Sequence, residues 1–399
     1  MDIISKSYCR IYQTIFRWIM PLLPYHEPKH IEKMEDIKNI ILDKGYNKVL
    51  IITDAGIRAQ KLTTPLERDL KAEKIKLVVF DQVLPNPTIS LVEEVVNIYQ
   101  TNECQCIIAF GGGSVMDTAK AVGARVSNPK KTLLKMRGIM KIKNPPPTII
   151  AIPTTAGTGS ETTVTAVITD DQTHKKYTIN DFKLIPELVL LDPTLTLKLP
   201  PNMTATTGMD ALTHAIEAFI GNSTTNDTRK NALEAARLIF ENIEKVYHDG
   251  SNERARSHML RASYMAGLAF TKSYVGYVHA IAHSLGGKYN TPHGLANAVI
   301  LPYVLSEYGT SVIKKLKVMA VYCNVARPYD SEQNATNKFI NRILELNEVL
   351  GIPKSFDFIK EEDIEEMSKN AAKEANPLYP VPKLLSAKEL QKIYYKIKA

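Results

Sequence analysis

Apolar residues along this chain follow two patterns, and the change-over falls near residue 200. From about 48 to 192, short Val/Ile-rich runs recur as KVLIITD, IKLVVFD, CIIAFGGGS, PTIIAIPTT, TAVITD and ELVLLDP. Alternating with helical stretches, such runs predict βαβ units and a mostly parallel sheet. The stretch ISLVEEVVNIYQ spaces Ile89, Val92, Val96 and Tyr99 as one face of a crossover helix. After DPTLTLKLPP (192 to 201) strand-like runs nearly vanish. Long helical segments follow, from MDALTHAIEAFI through NALEAARLIFENIEKVY to KELQKIYYKI. Pro200 and Pro201 fit a boundary just before that shift. The reading is a helical extension over 1–30, an α/β domain over 31–195 and a helical domain over 196–399.

The extension has its own pattern. Ile4, Tyr8, Ile11, Ile15, Trp18, Ile19 and Leu22 recur at helical spacing, so one face of a helix within residues 1–24 is apolar. Lys6, Arg10 and Arg17 interrupt the segment and no small-residue cleavage site follows it. It therefore reads as neither a signal peptide nor a membrane span, and no stable membrane insertion is expected. The expectation is that this face docks on the chain's own body or on a second subunit, with adsorption to a membrane surface as the competing account.

Composition narrows the class. A chain of 399 residues exceeds the size at which one core usually stops growing, which agrees with two domains. The 44% apolar and 23% charged content is that of a soluble globular protein. The net charge of +8 comes from 50 basic residues spread among 42 acidic ones. With no basic stripe carrying interleaved aromatics, nucleic-acid binding is not expected, although the field would favour an anionic ligand. Four cysteines without a C-x-x-C pair read as free thiols in a reducing cytoplasm.

Two loops carry candidate chemistry. GGGSVMDTAKAV (111 to 122) follows the apolar IIAF and opens a helix, where glycines let backbone approach a bound group and free N–H groups face a phosphate. The spacing is not G-x-G-x-x-G, because Met116 takes the last glycine position, and Lys120 is wrongly placed for a P-loop. A tight structural turn is the alternative. PTTAGTGSE (153 to 161) also follows a strand, so both loops should share one carboxyl edge. Asp54 ends VLIIT, where a carboxylate can bind ribose hydroxyls and repel a 2′-phosphate, or merely serve a turn.

Histidines supply the third signal. Asp210 and His214 stand at i, i+4 in TGMDALTHAIEAF, and His279 and His283 repeat the spacing in VHAIAHSLGG. Gly286-Gly287 is expected to end that helix and Pro292 to restart one that presents His293. A lone histidine in an apolar helix is usually a hydrogen-bonded core residue. Several beside an aspartate, without cysteine, suit Fe(II), Zn, Co, Ni or Mn. Spacing does not say which four of the five bind, and Glu217 shares the face of Asp210.

GGGSVMDTAK, PTTAGTGSE, GMDALTHAIEAF and HAIAHSLGGKYNTPHGLANAVILP, in this order and spacing, make residues 40 to 399 resemble the iron-containing (group III) alcohol dehydrogenases. The resemblance implies an α/β dinucleotide-binding domain with a mostly parallel sheet, an all-α domain and a metal site in the cleft between them. It implies Asp210, His214, His279 and His293 as metal ligands, and His283 as the catalytic residue on the nicotinamide side. Around the cofactor it implies Asp54, Asn86, Gly112, Gly113, Ser114, Asp117, Thr154, Thr155 and Lys176, with Asp54 favouring NAD. The implied activity is hydride transfer between a primary alcohol or aldehyde and NAD, with Fe2+ (or Zn2+), in a cytoplasmic homodimer. Alternatives are a zinc glycerol-type dehydrogenase, a dehydroquinate-synthase-like enzyme, or a nucleotide-binding protein with a vestigial site. Residues 1–24, EPKHIEKMEDI without the usual glycine turn, and Lys272 where many members carry Asn, depart from the family pattern.

Overall fold

The computed structural model describes residues 3–173 and 175–399. The chain divides into two compact units: Pro24–Leu197, and Met1–Leu23 together with Lys198–Ala399. Six helices matter below: α1 (Ile3–Ile19), α2 (Gly113–Ser127), α3 (Pro201–Ile220), α4 (Tyr277–Tyr289), α5 (His293–Tyr308) and α6 (Glu361–Ala375).

In the unit Pro24–Leu197 the described residues form nine strands: β1 (Lys29–Ile31), β2 (Lys48–Ile52), β3 (Lys76–Phe80), β4 (Cys106–Gly111), β5 (Gly138–Ile139), β6 (Ile149–Pro153), β7 (Thr165–Thr169), β8 (Lys176–Asn180) and β9 (Leu188–Leu190). Six pair in parallel in the order β1-β9-β6-β4-β2-β3. The middle strands are apolar on both faces because helices cover both sides of a parallel sheet. Val49 to Ile52, Cys106 to Phe110 and Ile149 to Ile152 are all buried. One layer of this core joins Ile51, Ile108, Phe110 and Ile152 to Ile37, Ile41, Leu66 and Leu70 from covering helices.

Two departures from the apolar pattern have physical causes. TAVITD lies outside the main sheet. It forms β7, antiparallel to β8, in a three-stranded sheet completed by β5. Its residues alternate between buried and half-buried, as a strand with one open face requires. Conversely, β1 has the polar sequence KHI, and only Ile31 of it is buried, so no apolar run marked it.

The other unit is helical. The pair α4 and α5 brings a correction: α4 runs on through Gly286 and Gly287 to Tyr289. It is Asn290, with φ +53°, that ends the helix. Asn tolerates the left-handed region better than most residues, and the two glycines remain helical because neighbouring packing outweighs a cost of about 1 kcal/mol each.

Helix α1 docks on this unit, though not through the face its periodicity suggests. Cys9 and Gln13 are buried, Phe16 meets Tyr274 edge-on at 5.0 Å, and Gln13 Nε2 donates to Tyr379 O at 2.7 Å. Arg10 donates to Val381 O and Pro382 O at 2.7 and 2.9 Å. Bonds from a charged donor contribute roughly 1.5–3 kcal/mol, so these carbonyls select the face that turns inward. Ile4, Ile11, Ile15, Trp18 and Leu22 are left outward, with Ile4 83% and Trp18 72% exposed.

Candidate active site

The loop after β4 and the loop after β6 do share one edge. Gly111 pairs with Pro153, and Thr154 N donates to Gly111 O at 3.2 Å. Because β2 lies between β3 and β4, the chain reverses its direction of build beside β4, the position where parallel sheets open a crevice. Gly112 caps the start of α2. A Cβ on Gly113 would stand 2.7 Å from Thr158 Cγ2, so only glycine lets the two loops approach this closely.

The remaining residues assigned to the cofactor fall in different places. Asp54 lies just beyond β2 and caps the helix Ala55–Ala59, its Oδ1 accepting from Ile57 N at 3.0 Å. Asn86 sits at φ +59° in the loop after β3. Thr154 is buried, Ser114 and Thr155 half-buried, and Lys176 begins β8, where burial pushes its ammonium down. Asp117 is committed to the protein: it accepts from Ser160 Oγ at 2.9 Å and Val167 N at 3.1 Å. Its neighbour Lys120 is wholly buried, and its Nζ donates to Ser160, Thr163 and Thr165.

In the helical unit, α3 carries Asp210, His214 and Glu217 on one face, α4 carries His279 and His283, and α5 carries His293 and Asn297. A Cβ on Gly294 would lie 2.3 Å from Thr206 O, so glycine is what lets α5 begin against α3. One ligand atom each from Asp210, His214, His279 and His293 falls within 4.8 Å of the others. Asp210 Oδ1 is 3.9 Å from His279 Nε2 and 3.6 Å from His293 Nε2. Donors around a cation with bonds of about 2.1 Å stand roughly 3–4 Å apart, so the cluster has the spacing of a metal site.

Their surroundings fit that use. The Asn297 amide nitrogen lies 2.7 Å from Asp210 Oδ1, 3.2 Å from His279 Nε2 and 3.1 Å from His293 Nε2. These three acceptors therefore turn their lone pairs toward one shared donor, the Asn297 amide. His279 Nδ1 is 2.6 Å from Glu217 Oε2, which also accepts from Gly276 N at 2.7 Å; Glu217 Oε1 accepts from Val278 N at 2.9 Å. Burial, joined by the neighbouring imidazoles, holds His279 well below its ordinary value and hence neutral. Its proton stays on Nδ1 and its Nε2 lone pair faces Asp210. Burial raises the carboxyls of Asp210 and Glu217 against these hydrogen bonds.

His283 is set apart from the four. Its Nδ1 is 2.7 Å from Glu374 Oε1 on α6, and its ring stacks on His293 at 5.1 Å. Glu374 also accepts from Tyr379 OH at 2.7 Å. Burial would raise Glu374, but the His283 charge and both hydrogen bonds outweigh it and hold the carboxyl below its usual range. Glu374 and Tyr379 carried no motif signal, and Asn297, though it lies within HAIAHSLGGKYNTPHGLANAVILP, was not singled out there. For Asn297 only the i, i+4 spacing from His293 could have pointed to it.

A parallel-sheet unit with a glycine loop, joined in one chain to a helical unit with a carboxylate–imidazole cluster, defines a metal-site enzyme of the α/β plus all-α class. The family model for iron-containing alcohol dehydrogenase matches residues 30–193, and that for the family's C-terminal domain matches 204–398. The chain belongs to the iron-containing alcohol dehydrogenase family. It is 35% identical to 1,3-propanediol dehydrogenase of Citrobacter freundii over 95% of this chain and 98% of that one. With the NAD-dependent methanol dehydrogenase of Bacillus methanolicus it shares 35% over 82% and 86%. An alcohol dehydrogenase from Oenococcus oeni superposes with a TM-score of 0.88 at 33% identity, covering 94% of this chain and 100% of that one.

Proposed function

We propose that this enzyme moves a hydride between a primary alcohol or its aldehyde and NAD, using Fe2+ held by Asp210, His214, His279 and His293. The observation that carries the reading is the convergence of these four donors beside His283. Three imidazoles and a carboxylate, without thiolate, suit Fe(II) and also Zn(II). When bound, the cation supplies a Lewis acid next to the substrate oxygen.

The chain's own residues do the rest. Glu217 fixes the tautomer of His279. His283, half-exposed and held by Glu374, takes the proton released when alcohol becomes aldehyde and NAD becomes NADH, and returns it in the reverse direction. Gly112, Gly113 and the N-terminus of α2 receive the pyrophosphate, flanked by Ser114, Thr154 and Thr155. Asn86 and Lys176 complete the cofactor's surroundings, and Asp54 disfavours a 2′-phosphate. Asp117 acts through Ser160, by shaping the loop. The relative from Bacillus methanolicus, named as NAD-dependent, supports the choice of cofactor. The four cysteines are free and buried, which supports a reducing cytoplasm, and the family resemblance supports a homodimer.

The test follows NADH absorbance over a panel of primary alcohols and aldehydes, with iron-loaded, zinc-loaded and metal-free protein in parallel. Turnover that needs iron and a primary alcohol is the expected result. Turnover confined to polyols with zinc, or no NADH change with any substrate, overturns it.

A further inference from the structure

Residues 377–382 read PLYPVP, and the three prolines carry no N–H. Such a segment cannot build a regular ladder of its own, so its carbonyls need donors from elsewhere in the chain. Asn222 donates to Pro380 O at 2.7 Å and to Val381 O at 3.0 Å. Helix α1 supplies the others. Gln13 Nε2 donates to Tyr379 O at 2.7 Å and Pro377 O at 3.2 Å, while Arg10 reaches Val381 O and Pro382 O. Arg10 Nη1 also donates to Gln13 Oε1 at 2.8 Å, which fixes the Gln13 amide with its NH2 toward the loop.

This loop reaches the active site through one side chain. Tyr379 OH donates to Glu374 Oε1 at 2.7 Å, the same oxygen that His283 Nδ1 meets at 2.7 Å. Burial and the Glu374 charge raise the Tyr379 phenol well above its ordinary value, so it keeps its proton and donates. The Glu374 side chain is 35% exposed, so packing alone does not fix its rotamer; the bond from Tyr379 adds a second anchor. The Tyr379 ring is steadied from the same side, because Tyr274 meets Phe16 of α1 at 5.0 Å and Tyr379 at 6.3 Å. Three consecutive hydrogen bonds of 2.7 Å therefore lead from Gln13 to His283 by way of Tyr379 and Glu374.

We propose that Gln13 is a positioning residue for the reaction: α1, which precedes the stretch matched by the family model, holds Tyr379 so that Glu374 keeps His283 in place. This inference rests on the proposed function, in which His283 carries the proton. Gln13→Leu keeps the packing volume and removes the donor. It should retain the iron content of the wild type and a KM within about twofold, while kcat falls roughly tenfold. Tyr379→Phe should lose a similar factor. The double variant should lose no more than the larger single loss, because both changes act through one bond.

Unchanged kcat in Gln13→Leu, or losses that multiply in the double variant, would make α1 a stabilising element only and overturn the proposal. Loss of iron in Gln13→Leu would place the effect at the metal ligands and overturn it too. A second measurement needs no turnover. In zinc-loaded, 15N-labelled protein the ring nitrogens of His283, assigned by their absence in His283→Ala, should show the Nδ1–H tautomer in the wild type and a mixture of tautomers in Gln13→Leu. An unchanged tautomer refutes the coupling. A wild type without NADH-linked turnover would overturn the proposed function instead, and this signal would still decide the coupling. Should Gln13→Leu not fold, Arg10→Met removes the bonds to Val381 and Pro382, and the same shift in tautomer is expected of it; its absence refutes the assignment.

Discussion

Glu217 Oε2 lies 2.6 Å from His279 Nδ1, and this bond turns the Nε2 of His279 toward Asp210. Glu217 also accepts two backbone N–H groups, so three donors point at one carboxylate. Glutamine has one acceptor oxygen and places an NH2 against the remaining donors. Glu217→Gln is therefore expected to keep the fold and weaken iron binding by roughly 10–100-fold, the usual cost of losing a partner behind a ligand. Chelator competition measures it. Wild-type affinity in the variant would make Glu217 a packing residue only.

His283 and His293 stack at 5.1 Å yet have different partners, Glu374 for one and the Asp210 cluster for the other. His293→Ala should lose iron and turnover together, with the circular dichroism of the wild type. His283→Ala should retain iron and lose roughly 100-fold in kcat, and Glu374→Gln should lose less, because the ring remains. Iron content and kcat on the same preparations check this. An iron-free His283→Ala beside an iron-loaded His293→Ala would reverse the ligand assignment.

Spacing alone left His283 and the metal set indistinguishable, since His279 and His283 repeat the i, i+4 interval of Asp210 and His214. What separates His283 is Glu374, which lies on another helix 91 residues away. The same limit applies to α1. Its periodicity located an apolar face, but the residues that dock were selected by carbonyls of residues 377–382, a loop remote in sequence. Local signals were informative wherever the cause was local: the buried Val/Ile runs of β2, β4 and β6, and the glycines at the start of α2. Strand β7 was found as a strand, while its place in the smaller sheet depended on pairing with β8.

Asp54 makes a capping bond and carries a charge proposed to select the cofactor, and one substitution can separate the two. Its Oδ1 caps the helix Ala55–Ala59, a bond worth about 1 kcal/mol, and its charge is the proposed barrier to a 2′-phosphate. Asp54→Asn keeps a capping oxygen and removes the charge. The ratio of kcat/KM for NADP to that for NAD should rise on the order of tenfold, about 1.4 kcal/mol of removed repulsion, and the gain should shrink with salt. Wild-type protein that already prefers NADP would refute the assignment.

The last prediction concerns charges buried beneath the loops. Lys120 Nζ lies within 2.5–3.1 Å of five oxygens, from Ser160, Thr163 and Thr165, which is the environment of an ammonium. Half-buried Asp117, accepting two hydrogen bonds, supplies the opposite charge. Glu161 is then left over: it is 2% exposed, its Oε1 has no hydrogen-bond partner, and burial pushes its carboxyl up to about 7. A carboxyl raised from an unfolded value of about 4.3 holds its proton in the folded chain across a window where the unfolded chain has released it. Its contribution to stability is full below that lower value and is lost as pH rises through about 7. Glu161→Gln keeps the neutral shape at every pH. Melting temperatures of variant and wild type should agree within about a degree at pH 5 and diverge by a few degrees in the variant's favour at pH 8. A gap that stays constant across pH, or a variant less stable at pH 8, would mean that Glu161 is ionised and serves as the partner of Lys120.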